Sequence, residues 1–482
     1  MHLHKITSGI LLLFLVVISG RISAQDSDLI RTKKNFIQLL GNTGQEQLNA
    51  VLEKLPREES ASDQMVVELF QRQSSQAASI QKYISEQTEN GTWPDINYQD
   101  QKRSGWEPRV HTERILELTK QYTSPESPYY HSDKVEACIH KALHYWFTAK
   151  PVCPNWWYNQ IGVPKTLGNA FLLFEPQLTA EERQSAIQVM ENARFGMTGQ
   201  NKVWLAGNVL VRALLQEDKE LVRQARDTIV SEIVTGQTEG IQPDWSFHQH
   251  GTQQQFGNYG LAFLASMSFY SGVFAGTSMA FSDEQLEILR QLIDKGYRWI
   301  LWKGQMDISA LGRQFFREGQ THKGLSTAFA ATELGGGMSE SCNNTARALC
   351  NENFQLHSRN DLIGNKHFFC SNYTVHRRPT WMATVKMASN KVIGTETLNG
   401  DNMKGFYSAD GATYVYTDGH EYLDIFPLWD WRKLPGVTAF ESDAPIPVVK
   451  GNRPRNNADF VGGLSDGILR PAQIFAQANS VK

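Results

Sequence analysis

Four short clusters in this chain combine residue types that move protons, hold anions and stack on sugars. The first is Asp244-Trp245-Ser246-Phe247-His248-Gln249-His250-Gly251, followed by Asn258-Tyr259-Gly260. His250 and Tyr259 stand nine positions apart with glycine and amide residues between them. If the segment turns back, imidazole and phenol can reach one substrate atom and pass a proton. His248 and His250 also have the look of a metal pair. No third ligand stands at a recognisable spacing, so no metal is expected there.

The second cluster is Asn155-Trp156-Trp157-Tyr158-Asn159-Gln160-Ile161-Gly162-Val163-Pro164. Sugars expose flat C–H faces that stack on aromatic rings, and their hydroxyls pair with amides. Core packing is the alternative. Two neighbouring tryptophans cannot both enter one helix face, which favours a sugar platform. The third cluster is Thr198-Gly199-Gln200-Asn201-Lys202, which alone reads as a turn or cap. The fourth is Gly312-Arg313-Gln314-Phe315-Phe316-Arg317. On a helix, Arg313 and Arg317 would share one face and could clamp a carboxylate or sulfate; otherwise they form a solvated basic face.

These clusters need elements to carry them. The 482 residues suffice for two or three domains, and 41 % hydrophobic with 20 % charged residues is ordinary globular composition. The net charge of −3 gives no basic surface for nucleic acid, which is excluded as a partner. Residues 1–24 read as a signal peptide: Lys5, then the short apolar run Ile10 to Ile18, then small residues Ser23 and Ala24. The mature chain is therefore expected to be secreted or periplasmic, and not membrane-bound once cleaved.

From 25 to 335 the grammar is helical. Thr179 with Glu182, and Ser282 with Gln285, form capping boxes before apolar residues at helical spacing. Ser132 is expected to cap a helix carrying Val135, Cys138, Ala142 and Tyr145, and Gly296 to end another. Cys138, one of five cysteines, falls on an apolar face and reads as a buried small hydrophobe. Cys342 and Cys350 are the nearest pair, with nothing to show that they bond. Residues 336–364, rich in Asn, Ser and Gly, read as a linker. From 365 to 482, alternation over Trp381 to Met387 and Ala412 to Thr417, with turn dipeptides Asp410-Gly411 and Asp418-Gly419, predicts an antiparallel β domain.

Together the four clusters, with Glu396-Thr397-Leu398-Asn399-Gly400-Asp401-Asn402, Asp410 to Tyr414 and Phe426 to Thr438, resemble the polysaccharide lyase family of hyaluronate, chondroitin AC and xanthan lyases. The blocks agree in order and spacing over most of the chain. The resemblance implies an α+β multidomain fold: an incomplete N-terminal α/α toroid followed by a partial antiparallel β-sandwich, C-terminally truncated. Ile468 to Lys482 no longer reads like the family.

The resemblance also implies roles. Tyr259 would take the proton at C5 of a uronic acid and return one to the leaving oxygen, with His250 assisting. Asn201 would bond the substrate carboxylate. Arg313 and Arg317 would hold substrate and tyrosine, and Glu396 would orient this network. Asn155, Trp156, Trp157 and Asn399 would bind the sugar. The chemistry fits: removing a proton α to a carboxylate builds charge on its oxygens, and donors aimed there stabilise it. Tyrosine ordinarily titrates near pH ~10, so an arginine alongside is expected to lower it.

The expected activity is β-elimination on chondroitin or hyaluronan, giving 4,5-unsaturated uronates. Alternatives are a xanthan-type lyase or a truncated, inactive glycan-binding protein. A hydrolase would need two carboxylates; Asp244 and Glu239 are the nearest acids, but it leaves His250, Tyr259 and Arg313 without a task. No cofactor is required. A structural calcium near Trp429-Asp430-Trp431 is weakened by Arg432, which stands where a further acid would help. The partner is an acidic polysaccharide, and a monomer is expected.

Overall fold

The computed structural model describes residues 27–41, 79–320, 323–335, 362–449, 451 and 453–465. The expected signal peptide, both Cys342 and Cys350, most of the expected linker and the stretch from Ile468 onward lie outside these residues.

Helices dominate the first part. In chain order they are α1 (27–41), α2 (79–86), α3 (Arg109–Thr123), α4 (Asp133–Ala149), α5 (Val163–Phe174), α6 (Ala180–Met190), α7 (Gly199–Gln216), α8 (Lys219–Val230), α9 (Leu261–Val273), α10 (Asp283–Leu292) and α11 (Lys323–Gly335). The packing has a simple rule. Helices α3, α5, α7, α9 and α11 each pack on the next-but-one helix, forming one continuous layer. The helices between them pack outside that layer, as α8 does on α7 and α10 on α11. Two such layers, wound in sequence, are the arrangement of an incomplete α/α toroid.

Sequence patterning explains which helices go where. Helix α7 lies in the inner layer and is buried nearly all round, from Val203 through Leu215. Helix α8 lies outside and buries only Val222, Ala225, Ile229 and Val230, a single stripe. Both predicted capping boxes are present: Thr179 with Glu182, and Ser282 with Gln285. Helix α1 seats on the end of α9, where Asn35 Nδ2 donates to the carbonyls of Val273 and Ala275 at 3.0 Å each and Phe36 meets Phe269 edge-on.

Two local expectations fail. Ser132 occupies the N-cap of α4, but its side chain makes no capping bond. Gly296 does not end a helix. The chain continues through a π turn, Ile293–Tyr297, to Ile300. Glycine is needed there because a Cβ would stand 2.5 Å from the Trp245 carbonyl oxygen.

Two tiny antiparallel ribbons punctuate the helical part: β1 (Gly240–Ile241) with β2 (Phe247–His248), and β3 (Leu301–Trp302) with β4 (Gln305–Met306). The main sheet follows as a meander, β5 (Gly364–Phe368), β6 (Tyr373–Arg377), β7 (Met382–Lys386) and β8 (Ala412–Tyr416), all antiparallel and paired in chain order. Strand β7 alternates buried and half-buried residues, as the sequence pattern predicts. Strand β6 is buried throughout, so it shows no period-two signal.

The sheet is bolted to the helical part by buried polar groups. The Arg377 guanidinium donates to the carbonyls of Arg298 and Trp299 at 3.2 and 3.1 Å. Asp307, wholly buried, accepts from Tyr373, Thr384 and Tyr416, each at 2.8 Å. Lys386 Nζ donates to Gln254 Oε1 and to the Ser371 carbonyl at 2.7 Å. Loop 391–393 also docks on the helical part, with Ile393 N donating to Thr252 O at 3.0 Å. These bonds bring residues numbered near 250 and near 396 to one place.

Candidate active site

The site begins with a strained turn. After β2 the chain reverses at His250 and Gly251, with φ of 61° and 87°. A non-glycine residue in this left-handed region is held by its surroundings. Here Gly251 N donates to Glu239 Oε1 at 2.8 Å. The chain then enters a π turn, Phe256–Gly260, which leads into α9 and carries Tyr259. Trp157 precedes another π turn, Tyr158–Gly162. Such wide turns displace side chains from ordinary helical positions and recur at functional sites.

The reversal brings imidazole and phenol together. The rings of His250 and Tyr259 lie 4.7 Å apart, centroid to centroid. Glu396 arrives from the loop beyond β7, fully buried. Its Oε2 lies 2.8 Å from His250 Nδ1, and its Oε1 accepts from Arg313 Nη1 at 2.6 Å and Gln255 Nε2 at 3.0 Å. Arg313 Nε also donates to Asp401 at 3.3 Å, and its Cζ lies 5.8 Å from the Tyr259 ring centre. With Glu396 on Nδ1, the neutral imidazole carries its proton there and leaves Nε2 as an acceptor.

Electrostatics follow from this packing. Burial works to raise the Glu396 carboxyl, but the His250 and Arg313 partners overcome it and hold the group below the usual carboxylate range. Tyr259 goes the other way. Burial lifts the phenol above its ordinary value, and Arg313 opposes this only in part. The expected lowering by arginine is thus present but outweighed, because the ring is only 7 % exposed.

Asn201 sits in the first turn of α7, buried, with its Oδ1 unpartnered. One turn on, Trp204 presents its ring 5.8 Å from Tyr259 and 5.6 Å from Trp157. Three aromatic rings therefore run in series from the phenol. Trp204 was not singled out from sequence. Its three-residue offset from Asn201 places both on one helix face, and that was the available signal.

The tryptophan pair divides its labour. Trp157 packs with Ile161, Ala193 and Leu205, whereas Trp156 is 37 % exposed. Asn155 is occupied internally: its Nδ2 donates to Arg103 O at 2.9 Å, and its Oδ1 accepts from Trp157 N at 3.1 Å. Asn399 stands at a tight turn, φ 55°, closed by Asp401 N donating to Leu398 O. Asp401 ties that turn to Arg313.

Arg313 and Arg317 do not share a helix face. Residues 311–316 are non-helical, and the helix Arg317–Gln320 begins only at Arg317. The left-handed Gly312, φ 67°, ends regular structure there. Arg317 is two-thirds exposed, with Nη1 3.7 Å from Asp424, while Arg313 is drawn inward by Glu396.

The other candidate groups are otherwise engaged. His248 Nε2 meets Ser371 Oγ at 2.9 Å, so the two histidines face different partners. Among the described residues no three His, Cys, Asp or Glu side chains gather as metal ligands. Asp430 and Glu441 each lie 3.9 Å from Lys433 Nζ, on the exposed surface. Asp244 accepts from Ser246 and the Cys370 amide, and Glu239 from Thr198 and Gly251; neither acid is free to act as a hydrolase pair. Cys138 is buried and free, as its helical position predicted.

Residues 54–351 match the N terminal alpha-helical domain of polysaccharide lyase family 8, and residues 363–473 match its super-sandwich domain. The chain belongs to polysaccharide lyase family 8. The second match runs past residue 468, so the likeness extends further than the residues alone suggested. A similar family 8 protein is a chondroitinase-AC of Pedobacter heparinus, 29 % identical over 79 % of this chain and 55 % of that protein. A hyaluronate lyase of Thermasporomyces composti is 25 % identical over 79 % of this chain and 54 % of its own length. Among solved structures, a chondroitinase AC lyase studied in oligosaccharide complexes superimposes with a TM-score of 0.77 at 25 % identity, covering 90 % of this chain and 62 % of that one. The chain spans about half the length of these curated family 8 relatives.

Proposed function

We propose that this chain is an eliminative lyase acting on a uronic-acid polymer of the chondroitin or hyaluronan class. The observation that carries the reading is the mutual contact of His250, Tyr259, Arg313 and Glu396, with Trp204, one turn on from the buried Asn201, against the Tyr259 ring. In this reading Tyr259, as phenolate, removes the proton from C5. The C5–H electrons form the C4=C5 double bond, and the C4–O4 bond breaks. The regenerated phenol gives its proton to O4, so the tyrosine ends as it began.

The substrate carboxylate gains charge as C5 is deprotonated. Asn201 and His250 are the groups that receive it, and one such donor contributes roughly 3 kcal/mol to the transition state. Burial favours the protonated phenol of Tyr259, so its proton must leave as substrate docks. His250 Nε2 is the neighbouring acceptor. Trp156, Asn399 and Arg317 serve the flanking sugars, while Asn155 and Trp157 shape the turn that carries Trp156. The enzyme works without a cofactor, as a monomer, in the secreted or periplasmic space to which residues 1–24 would direct it.

The test is direct. Purified protein is incubated with hyaluronan, chondroitin and xanthan, and the ultraviolet absorbance of a 4,5-unsaturated uronate is followed. A rise with either glycosaminoglycan supports the reading. Reducing ends without absorbance, or binding without either, would overturn it.

A further inference from the structure

Glu239 lies outside the proton-transfer group, yet it joins the two segments that build it. The carboxylate is half-buried immediately before β1. Its Oε2 accepts from Thr198 Oγ1 at 2.6 Å and from Gln249 Nε2; its Oε1 accepts from Gly251 N at 2.8 Å. Thr198 is the N-cap residue of α7, three positions before Asn201. Gln249 and Gly251 flank His250 on either side.

Gln249 completes the link. It is buried, its Oε1 accepts from Gln200 N at 2.8 Å, and its Nε2 donates to the Thr198 carbonyl at 3.3 Å. The approach is so close that a Cβ on Gly199 would stand 2.4 Å from Gln249 Oε1, and Gly199 takes the left-handed φ of 56°. The buried Glu232 steadies the same helix start by accepting from Gly199 N at 2.9 Å. Glu239 and Gln249 thus tie the start of α7 directly to the His250 turn.

We infer that Glu239, acting through Gln249, is a positioning residue that sets the spacing between Asn201 and His250, and so shapes the grip on the substrate carboxylate. This rests on the lyase reading above. The reason is geometric. Asn201 and His250 belong to segments about fifty residues apart, the first entered through left-handed Gly199 and the second turning at left-handed His250 and Gly251. One carboxylate with three donors from both turns removes their freedom to move apart. Its charge also acts on Tyr259, since Glu239 is among the groups that raise the phenol.

The experiment compares Glu239→Ala and Glu239→Gln with the unaltered protein, using hydrogen exchange of peptides covering 198–201 and 249–251, and lyase kinetics. Glu239→Ala should speed exchange in both segments together, leave the rest of α7 protected, and lower kcat by about 100-fold through misplacement. Glu239→Gln keeps an acceptor for Gly251 and loses the charge, so it should retain more activity and move the alkaline rise of kcat/KM to lower pH. Unchanged exchange in both segments would overturn the inference whether or not the protein proves to be a lyase. Altered exchange with unchanged kcat and pH profile would overturn the positioning role. An unaltered protein that forms no unsaturated product would sink the lyase reading, and exchange would still decide the clamp.

Discussion

Glu396 Oε2 lies 2.8 Å from His250 Nδ1, across 146 residues of sequence. The same carboxylate accepts from Arg313 and is fully buried. It therefore fixes the imidazole tautomer and supplies the counter-charge for a half-buried guanidinium. Replacing it removes both at once. Glu396→Ala should lower kcat by about 100-fold and destabilise the fold by about 3 kcal/mol, because Arg313 loses its buried counter-charge. Chemical melts and steady-state kinetics check this. Wild-type values in both would show that the carboxylate is a bystander.

Tyr259→Phe preserves the ring contacts with Trp204 and His250 and deletes the phenol oxygen that would carry the proton. Turnover should fall by about 1,000-fold or more, while oligosaccharide binding changes little. Product formation and calorimetric binding separate the two effects. Retained turnover would remove Tyr259 from the chemistry.

The pH profile should lean to the alkaline side. Burial raises the phenol in the free protein, and Arg313 only partly offsets it. The active base is the deprotonated form, so raising the value shifts the ascending limb of kcat/KM to higher pH. Arg313→Met removes the opposing charge and should push that limb further up. A profile flat from neutral to alkaline pH contradicts this assignment.

The two arginines should behave differently. Arg313 touches Glu396 and stands beside the Tyr259 ring, whereas Arg317 is exposed and paired with Asp424. Arg313→Ala should cost kcat, by about 100-fold. Arg317→Ala should raise KM a few-fold and leave kcat within about twofold, as expected for an exposed ion pair. Equal losses of kcat would place both at the reacting centre.

Lys386, buried between sheet and helices, is a stability probe. Burial pushes its amine down to about 7. An unfolded lysine titrates near ~10.4, so between these values the unfolded chain binds more protons and stability rises with pH. Lys386→Met should remove that dependence while losing the bonds to Gln254 and Ser371. Urea melts at neutral and alkaline pH measure the slope. Identical slopes in both proteins would show that Lys386 stays charged in the fold.

Residue types and spacing went far in this chain. The capping boxes at Thr179 and Ser282, the strands at 382–386 and 412–416, and the helix-then-sheet order were all legible, because each depends on neighbours within a few residues. Strand β6 was not, since burial on both faces erases alternation. The order of helical and strand domains, as in family 8, also followed from motifs that keep their order along the chain.

Tertiary structure alone decided the rest. It turned Arg313 inward and Arg317 outward, although their spacing suggested a shared face, because the helix starts only at Arg317 and Glu396 draws in one guanidinium. It lifted the Tyr259 phenol where a nearby arginine argued the reverse, because desolvation depends on every atom packed around the ring. It also gave Glu239 its three donors. Local sequence records which groups a segment carries. The distance between groups far apart in sequence, and the water left around them, exist only once the layers have closed.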